Sequence, residues 1–180
     1  MRFEYYTNRL ALRVLPPDHA QLVLDFYIKN HDFLMPFEPE KHPGFLSLEF
    51  QKSNLSYEYS SFLKSKYLRL WIFEKEHPET AIGTICFSNV LHGAFCSAMV
   101  GYKMDQDYLR KGYMSEALAF LLPLVCNDFR LHRIEAYVLP DNAASITLLE
   151  NLAFTREGLL HDFARINGTW RDHYLYSWLA

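Results

Sequence analysis

The chain has 180 residues, half of them apolar and 16% aromatic, with a formal charge of −3. This excludes a disordered chain and suits one domain, residues 1–180, with a proper buried core. A slight negative charge with no long run of either sign argues against a nucleic-acid-binding surface, which carries a basic excess.

The opening segment MRFEYYTNRL holds no apolar signal stretch, and nowhere does an apolar run approach the roughly 20 residues of a membrane span. A soluble, cytoplasmic protein without a membrane partner is expected. Leu10 to Val14 alternates and reads as a strand; Pro16-Pro17 stops it. Asp18 with Gln21 has the spacing of a capping box, which predicts a helix through about Asn30. In DFLMPFEPEKHPGF, Pro36, Pro39 and Pro43 exclude regular helix, so a loop carrying exposed aromatics is expected. Ser47 to about Lys66 has helical spacing at Leu48, Leu55, Tyr59 and Phe62.

The character then changes. Leu68–Phe73, Ala81–Val90 and Phe95–Met104 are β-rich runs broken by His77-Pro78 and His92-Gly93, a pattern that predicts an antiparallel meander. Met114, Leu118, Leu121, Leu122 and Val125 describe one helical face. Arg133–Leu139 reads as a strand ended by Pro140-Asp141-Asn142, and Ala144–Leu152 as a helix. Two closing strands, Thr155–Phe163 and Thr169–Leu179, flank the turn Asn167-Gly168. The sum is an α/β fold: a mixed sheet of roughly six or seven strands with about four helices on its faces. Cys86, Cys96 and Cys126 lie in apolar runs without metal-type spacing and read as free thiols of a reducing compartment. The eight histidines form no HExxH pattern and CxxC is absent, so no metal site is expected.

One stretch concentrates charge. In YLRKGYMSEAL, Arg110, Lys111 and Gly112 stand between a strand and a helix start. There the free backbone N–H groups, the helix dipole and two cations favour an anion, and Gly112 permits close approach or a positive φ. Neither a Walker A spacing nor a GxGxxG pattern is present. A solvated basic turn is the alternative for this stretch alone.

Two longer segments add context: VGYKMDQDYLRKGYMSEAL, and LPDNAASITLLENLAFTREGLL with its N-x-x-S helix followed by AF and EG. Together they resemble the GNAT superfamily of N-acetyltransferases, whose pyrophosphate loop reads Gln/Arg-x-x-Gly-x-Gly/Ala. Leu109-Arg110-Lys111-Gly112-Tyr113-Met114 keeps the central glycine and departs at both ends; Ala153 replaces the usual glycine before Phe154. TNRLALRVL near the start and INGTWRDHYLYSWL near the end look like the RimJ/RimL branch, which acetylates ribosomal-protein N-termini.

The resemblance implies a mostly antiparallel GNAT-like sheet with a splayed central strand pair. It also implies acetyl-CoA as acetyl donor, direct transfer in a ternary complex, and no metal. Carried over by position, Leu109, Arg110, Lys111, Gly112, Tyr113, Met114 and Ser115 cradle the pyrophosphate, and the Tyr102, Lys103 and Met104 backbone meets pantetheine. The Met104 amide is the candidate donor to the thioester oxygen. Asn142 holds the pantetheine or the coenzyme's turn, a role compatible with capping the helix that follows it. Ser145 matches the position proposed as the acid for the leaving thiolate. For a base, Glu135 and Tyr137 share one strand face; Tyr137 lies where some relatives carry glutamate, and Glu135 is the nearby carboxylate. Phe37 and Glu38, with Glu40, fall where relatives build the acceptor wall, which suits a basic N-terminal peptide. The expected acceptor is a protein N-terminal amine; a small amine (polyamine, amino acid or aminoglycoside) or a non-catalytic acyl-CoA-binding regulatory role are the alternatives. Trp170 and Arg171–His173 look like a branch hallmark without an assignable chemical role.

Overall fold

The computed structural model describes residues 2–180. Among them, strands β1 (Glu4–Tyr6), β2 (Leu10–Arg13), β3 (Leu68–Glu74), β4 (His77–Leu91), β5 (Ser97–Met104), β6 (Arg133–Val138), β7 (Thr155–Ile166) and β8 (Thr169–Leu179) form one sheet. Its order is β1-β2-β3-β4-β5-β6-β8-β7, and every neighbouring pair is antiparallel except β5–β6. The helices are α1 (Ala20–Lys29), α2 (His31–Leu34), α3 (Leu48–Leu63), α4 (Tyr113–Phe129) and α5 (Ala143–Asn151). Since α4 connects the two parallel strands, β5–α4–β6 is a crossover unit set into an otherwise antiparallel sheet.

Each face of the sheet has its own core. On one, α4 and α5 cover Leu10, Leu12, Leu70, Phe87, Val100, Ile134 and Ala136. The predicted α4 stripe is the side that packs: Met114, Leu118, Leu121, Leu122 and Val125 are all buried. Each such side chain contributes about 1.5–3 kcal/mol relative to exposure, which explains why α4 tolerates Pro123 on its outer side despite the lost ladder bond. On the other face, α1 and α3 cover Ala11, Trp71, Phe73 and Ala81, with Phe26 meeting the Trp71 ring edge-on at 5.3 Å. A polar pair lies on this face too: Arg69 Nε donates to Glu58 Oε1 at 2.7 Å, and both are largely buried.

Several local expectations change. β1 is an eighth strand: only three residues long, it has no alternation to read and is held by pairing with β2. The Asp18–Gln21 capping box does not form. A 3-10 turn at Pro17–His19 leads into α1, Asp18 accepts from its neighbour His19, and Gln21 donates to Asp25. The proline-rich stretch is not all loop, because α2 and a 3-10 turn at Met35–Phe37 occupy its first part. Pro36 sits in the first positions of that turn, where its missing N–H costs nothing. β4 begins at His77, so the His77-Pro78 break is a bulge: Glu74 pairs with His77 and Phe73 with Ala81. β5 begins at Ser97, because Cys96 takes a positive φ of 42° and leaves Phe95 in the turn.

Candidate active site

The parallel pair is short. Ser97, Ala98 and Met99 pair with Arg133, Ile134 and Glu135, and there the ladder ends. β5 continues through Val100–Met104 beside β4, and β6 through Ala136–Val138 beside β8. Each strand keeps an outer partner while the inner edges diverge, opening a gap with backbone groups on both walls. Strand alternation says which groups face it. Asp105 N–H donates to the Ile82 carbonyl at 2.8 Å, so in the Gly83↔Met104 register the Met104 and Tyr102 N–H groups point away from β4, into the gap. The Lys103 amide faces β4, and its side chain leaves by the other sheet face to pair with Glu38. Of the three, Lys103 therefore stands outside the gap.

Above the gap sits the N-terminus of α5. Asn142 caps it: its Oδ1 accepts the Ser145 N–H at 3.1 Å. That holds the Ser145 side chain over β5, where Ser145 Oγ and the Tyr102 hydroxyl are 2.6 Å apart. Burial pushes the Tyr102 phenol up to about 12, so it remains neutral at any physiological pH. No sequence pattern announced this pair, which joins residues 43 apart in the chain.

At the open end of β5 the chain turns through Leu109–Gly112 into α4. Arg110 and Gly112 both adopt left-handed conformations, φ 59° and 76°, the second as the N-cap of α4. The first helical bond of α4 runs from Glu116 N–H to the Gly112 carbonyl, leaving the N–H groups of Tyr113–Ser115 directed out of the helix start. Leu109, Arg110, Lys111 and Gly112 are exposed, whereas the Met114 side chain belongs to the core. At the two positions that depart from the consensus, Leu109 is exposed to solvent and Met114 has its side chain in the core, so neither side chain obstructs the backbone of the loop. Tyr113 turns its hydroxyl to Glu74, and its ring carries the Arg9 guanidinium at 4.5 Å.

The candidate bases fare unequally. Glu135 stands opposite Met99, where the ladder is still closed, and both its oxygens are engaged: Arg133 Nε donates at 2.6 Å and the Tyr137 hydroxyl at 2.7 Å. Arg133 also grips Glu157 with both terminal nitrogens, at 2.8 and 2.6 Å. Tyr137 lies further out, beside the gap; burial and its bond to Glu135 push it up to about 12, so it is a poor base. Its ring stacks on Phe163 at 4.5 Å, and Phe163 meets the buried His173 edge-on at 5.4 Å. Glu135→Gln is accordingly expected to change kcat/KM by less than about threefold, far below the 10²-fold or more that follows loss of a general base. A steady-state measurement showing that larger loss would restore Glu135 as the base.

The acceptor wall also changes character. Glu38 is not a free carboxylate: although burial alone would raise it, Lys103 and Lys41 outweigh this and hold it below the usual carboxylate range. Phe37 is exposed, as is Glu40. Glu38 and Lys41 line a cleft of about 280 Å³ with Tyr27, Leu34, Phe45 and Asn167. Its rim is an arch, because Pro39 bridges to Ile166 and the Asn167 N–H donates to the Glu38 carbonyl at 3.3 Å. The Arg171–His173 hallmark now has a structural account. Arg171 binds Asp141 at 2.8 Å, tying β8 to the turn that carries Asn142, and Asp172 accepts the Asp162 N–H at 2.9 Å. Trp170 stays exposed. Among the described residues no cluster of three His, Cys, Asp or Glu is placed to hold a metal, and no helix is long and apolar enough to cross a membrane.

Comparison with known proteins matches this geometry. The sequence profile of the acetyltransferase (GNAT) domain covers residues 9–155. The chain is 32% identical over 169 residues to the [ribosomal protein uS5]-alanine N-acetyltransferase of Escherichia coli K12, covering 94% of this chain and 87% of the relative. Among solved structures, the ribosomal-protein-S5-alanine acetyltransferase of Vibrio fischeri superposes with a TM-score of 0.93 at 27% identity, covering 99% of this chain and 97% of that one. Mycobacterium smegmatis RimJ, solved with CoA-disulfide, gives 0.87 at 28% identity, covering 95% and 82%. A profile matched over most of the length, a relative of this identity across nearly the whole chain, and a parallel pair that parts at its centre lead to one conclusion: the chain belongs to the GNAT acetyltransferases, in the RimJ/RimL branch.

Proposed function

We propose that the protein transfers the acetyl group of acetyl-CoA to the N-terminal α-amine of a protein, of the ribosomal-protein type, in the cytoplasm. The observation that carries this reading is the gap itself: two inward-facing amides on β5, a hydroxyl pair above them, and a backbone cradle at the end of the same strand. These parts fit acetyl-CoA along its length. The loop Leu109–Ser115 takes the pyrophosphate, and the Tyr102 and Met104 amides take the pantetheine arm. Asn142 fixes Ser145 by capping α5. The coenzyme supplies an acyl group activated as a thioester.

The remaining work falls to the chain. A neutral amine forms the new C–N bond as the C–S bond breaks; the amine loses a proton and the departing thiolate gains one. The Met104 N–H, fixed before the reaction begins, stabilises charge developing on the acyl oxygen. The Ser145 hydroxyl, 2.6 Å from the Tyr102 hydroxyl, is the group assigned to protonate the departing sulfur. Glu135, the candidate carboxylate, has both oxygens engaged, and the proposed acceptor needs little help: an α-amine titrates near 7.7–8.0, a lysine amine near 10.4. The amine reacts unprotonated, so kcat/KM rises with pH and levels off near pH 8 for an N-terminal peptide. For a lysine acceptor it keeps rising. Tyr102, with its pKa raised to about 12, adds no fall below about pH 10. The test is free-CoA release with three acceptors: a peptide with a free N-terminal alanine or serine, the same peptide N-blocked with an internal lysine, and polyamines. Turnover confined to small amines would reject the proposal.

A further inference from the structure

The cradle is held from a distant part of the chain. Thr7–Arg9 form the turn between β1 and β2, closed by Thr7 N–H to the Leu10 carbonyl at 3.0 Å and Leu10 N–H to Thr7 Oγ1 at 3.1 Å. This turn docks on the first turn of α4 through Glu116. Glu116 Oε1 accepts from Thr7 Oγ1 at 2.6 Å and from the Arg9 N–H at 2.8 Å, and Oε2 accepts from Arg9 Nε at 2.7 Å. The far end of the guanidinium then reaches the loop. Nη1 donates to the Lys111 carbonyl at 2.9 Å, and the group lies over the Tyr113 ring at 4.5 Å. Nη2 stands 3.5 Å from where a Cβ on Gly112 would be. One side chain thus touches Lys111, Tyr113 and Glu116 and lies beside Gly112.

We propose that Arg9 is a positioning residue for the coenzyme's pyrophosphate: with Glu116 it fixes the backbone of Arg110–Tyr113 in the form that presents the N–H groups of the α4 start. The loop needs such a hold. Arg110 is a non-glycine residue at φ 59°, a strained conformation that persists only where its surroundings over-determine it. The Lys111 carbonyl lies between the two left-handed residues, and Arg9 gives it a partner at the position where the chain reverses. Arg9 and Glu116 neutralise each other, so their contribution is geometric rather than a gain of positive charge. The fork matters accordingly: lysine would keep the charge and lose the simultaneous reach to Glu116 and Lys111.

This inference rests on reading Leu109–Ser115 as the pyrophosphate cradle, and the experiment separates the two. Binding of acetyl-CoA and of 3′-dephospho-acetyl-CoA is measured by calorimetry for wild type, Arg9→Lys, Glu116→Gln and Gly112→Asp, each checked for folding by thermal melting. Arg9→Lys and Glu116→Gln are expected to weaken both ligands alike by about tenfold, the loss of one or two hydrogen bonds. Acceptor KM and kcat at saturating acetyl-CoA stay within about twofold, since the amine and the gap are untouched. If Gly112→Asp weakens binding but Arg9→Lys and Glu116→Gln do not, the positioning role is wrong and the cradle stands. If none of the three weakens binding, the cradle reading falls as well. Weakening confined to the ligand carrying the 3′-phosphate would make Arg9 a direct phosphate contact and overturn the assignment. Should Arg9→Lys fail to fold, Glu116→Gln, which leaves Arg9 in place, carries the comparison alone.

Discussion

A Gly112→Asp variant is expected to bind acetyl-CoA about 10²–10³-fold more weakly than the wild type, read as a calorimetric Kd or as KM. Two effects combine. Gly112 caps α4 at φ 76°, a conformation that costs other residues about 1–2 kcal/mol. The larger effect is charge. A carboxylate about 4 Å from a phosphate is repelled by about 4 kcal/mol at the effective dielectric of a protein surface, reduced further by salt. Gly112→Ala separates the two, because the nearest atom to a new Cβ is Arg9 Nη2 at 3.5 Å, ordinary contact. Alanine should therefore cost only the strain, about tenfold or less. An aspartate variant with unchanged affinity would show that the anion binds elsewhere. Raising the ionic strength should narrow the gap between the aspartate and alanine variants.

Ser145→Ala is expected to lower kcat on the order of 10²-fold with little change in KM for acetyl-CoA. The hydroxyl proposed to meet the leaving sulfur is placed by three elements acting together. Asn142 caps α5, the cap aligns Ser145, and β5 brings the Tyr102 hydroxyl to 2.6 Å from Ser145 Oγ. A hydrogen bond to a developing thiolate is charge-assisted, about 1.5–3 kcal/mol, which sets the size of the loss. Tyr102→Phe removes the partner and leaves the serine free to rotate, so a smaller drop in kcat, about tenfold, is expected. The double variant should be no worse than Ser145→Ala, because Tyr102 acts through Ser145. Additive losses would mean that Tyr102 touches the reaction itself. A KM rise in place of a kcat loss would assign Ser145 to coenzyme binding.

Much of this site could be read from residue order. The Arg110–Gly112 cluster, Asn142 and Ser145 lie in short segments whose spacing the local backbone fixes, and those segments resemble the family's motifs. The long elements were legible for a related reason: α4 repeats its apolar residues with helical period, and β3, β6 and β8 carry enough β-rich residues to mark themselves. What failed were features too short or too polar to have a period. β1 has three residues, α2 four, and in place of the Asp18–Gln21 box a 3-10 turn leads into α1, with the His19 and Ala20 N–H groups bonded to the Pro16 and Pro17 carbonyls. Glu135 is a weaker candidate base than its position alone suggested, for a different reason. The sequence shows a carboxylate on the right strand face, but not that Arg133 and Tyr137 occupy both its oxygens.

By itself, then, the sequence determined the class of the protein and marked the segments proposed to hold its coenzyme. Periodicity sets which face of each element is buried, and a turn's glycine and cations sit within a few residues of one another. Tertiary structure decided everything that depends on contact between distant segments. It parted β5 from β6 after Met99 by giving each strand an outer partner, and it turned the Met104 amide into the space between them. Glu38 met two lysines, which removed it as a free acceptor carboxylate. Arg9 came to a loop 102 residues away. The physical reason is common to all of these. Hydrogen-bond and ion-pair partners are chosen by proximity in space, and a side chain's availability depends on whether another has already taken its polar atoms.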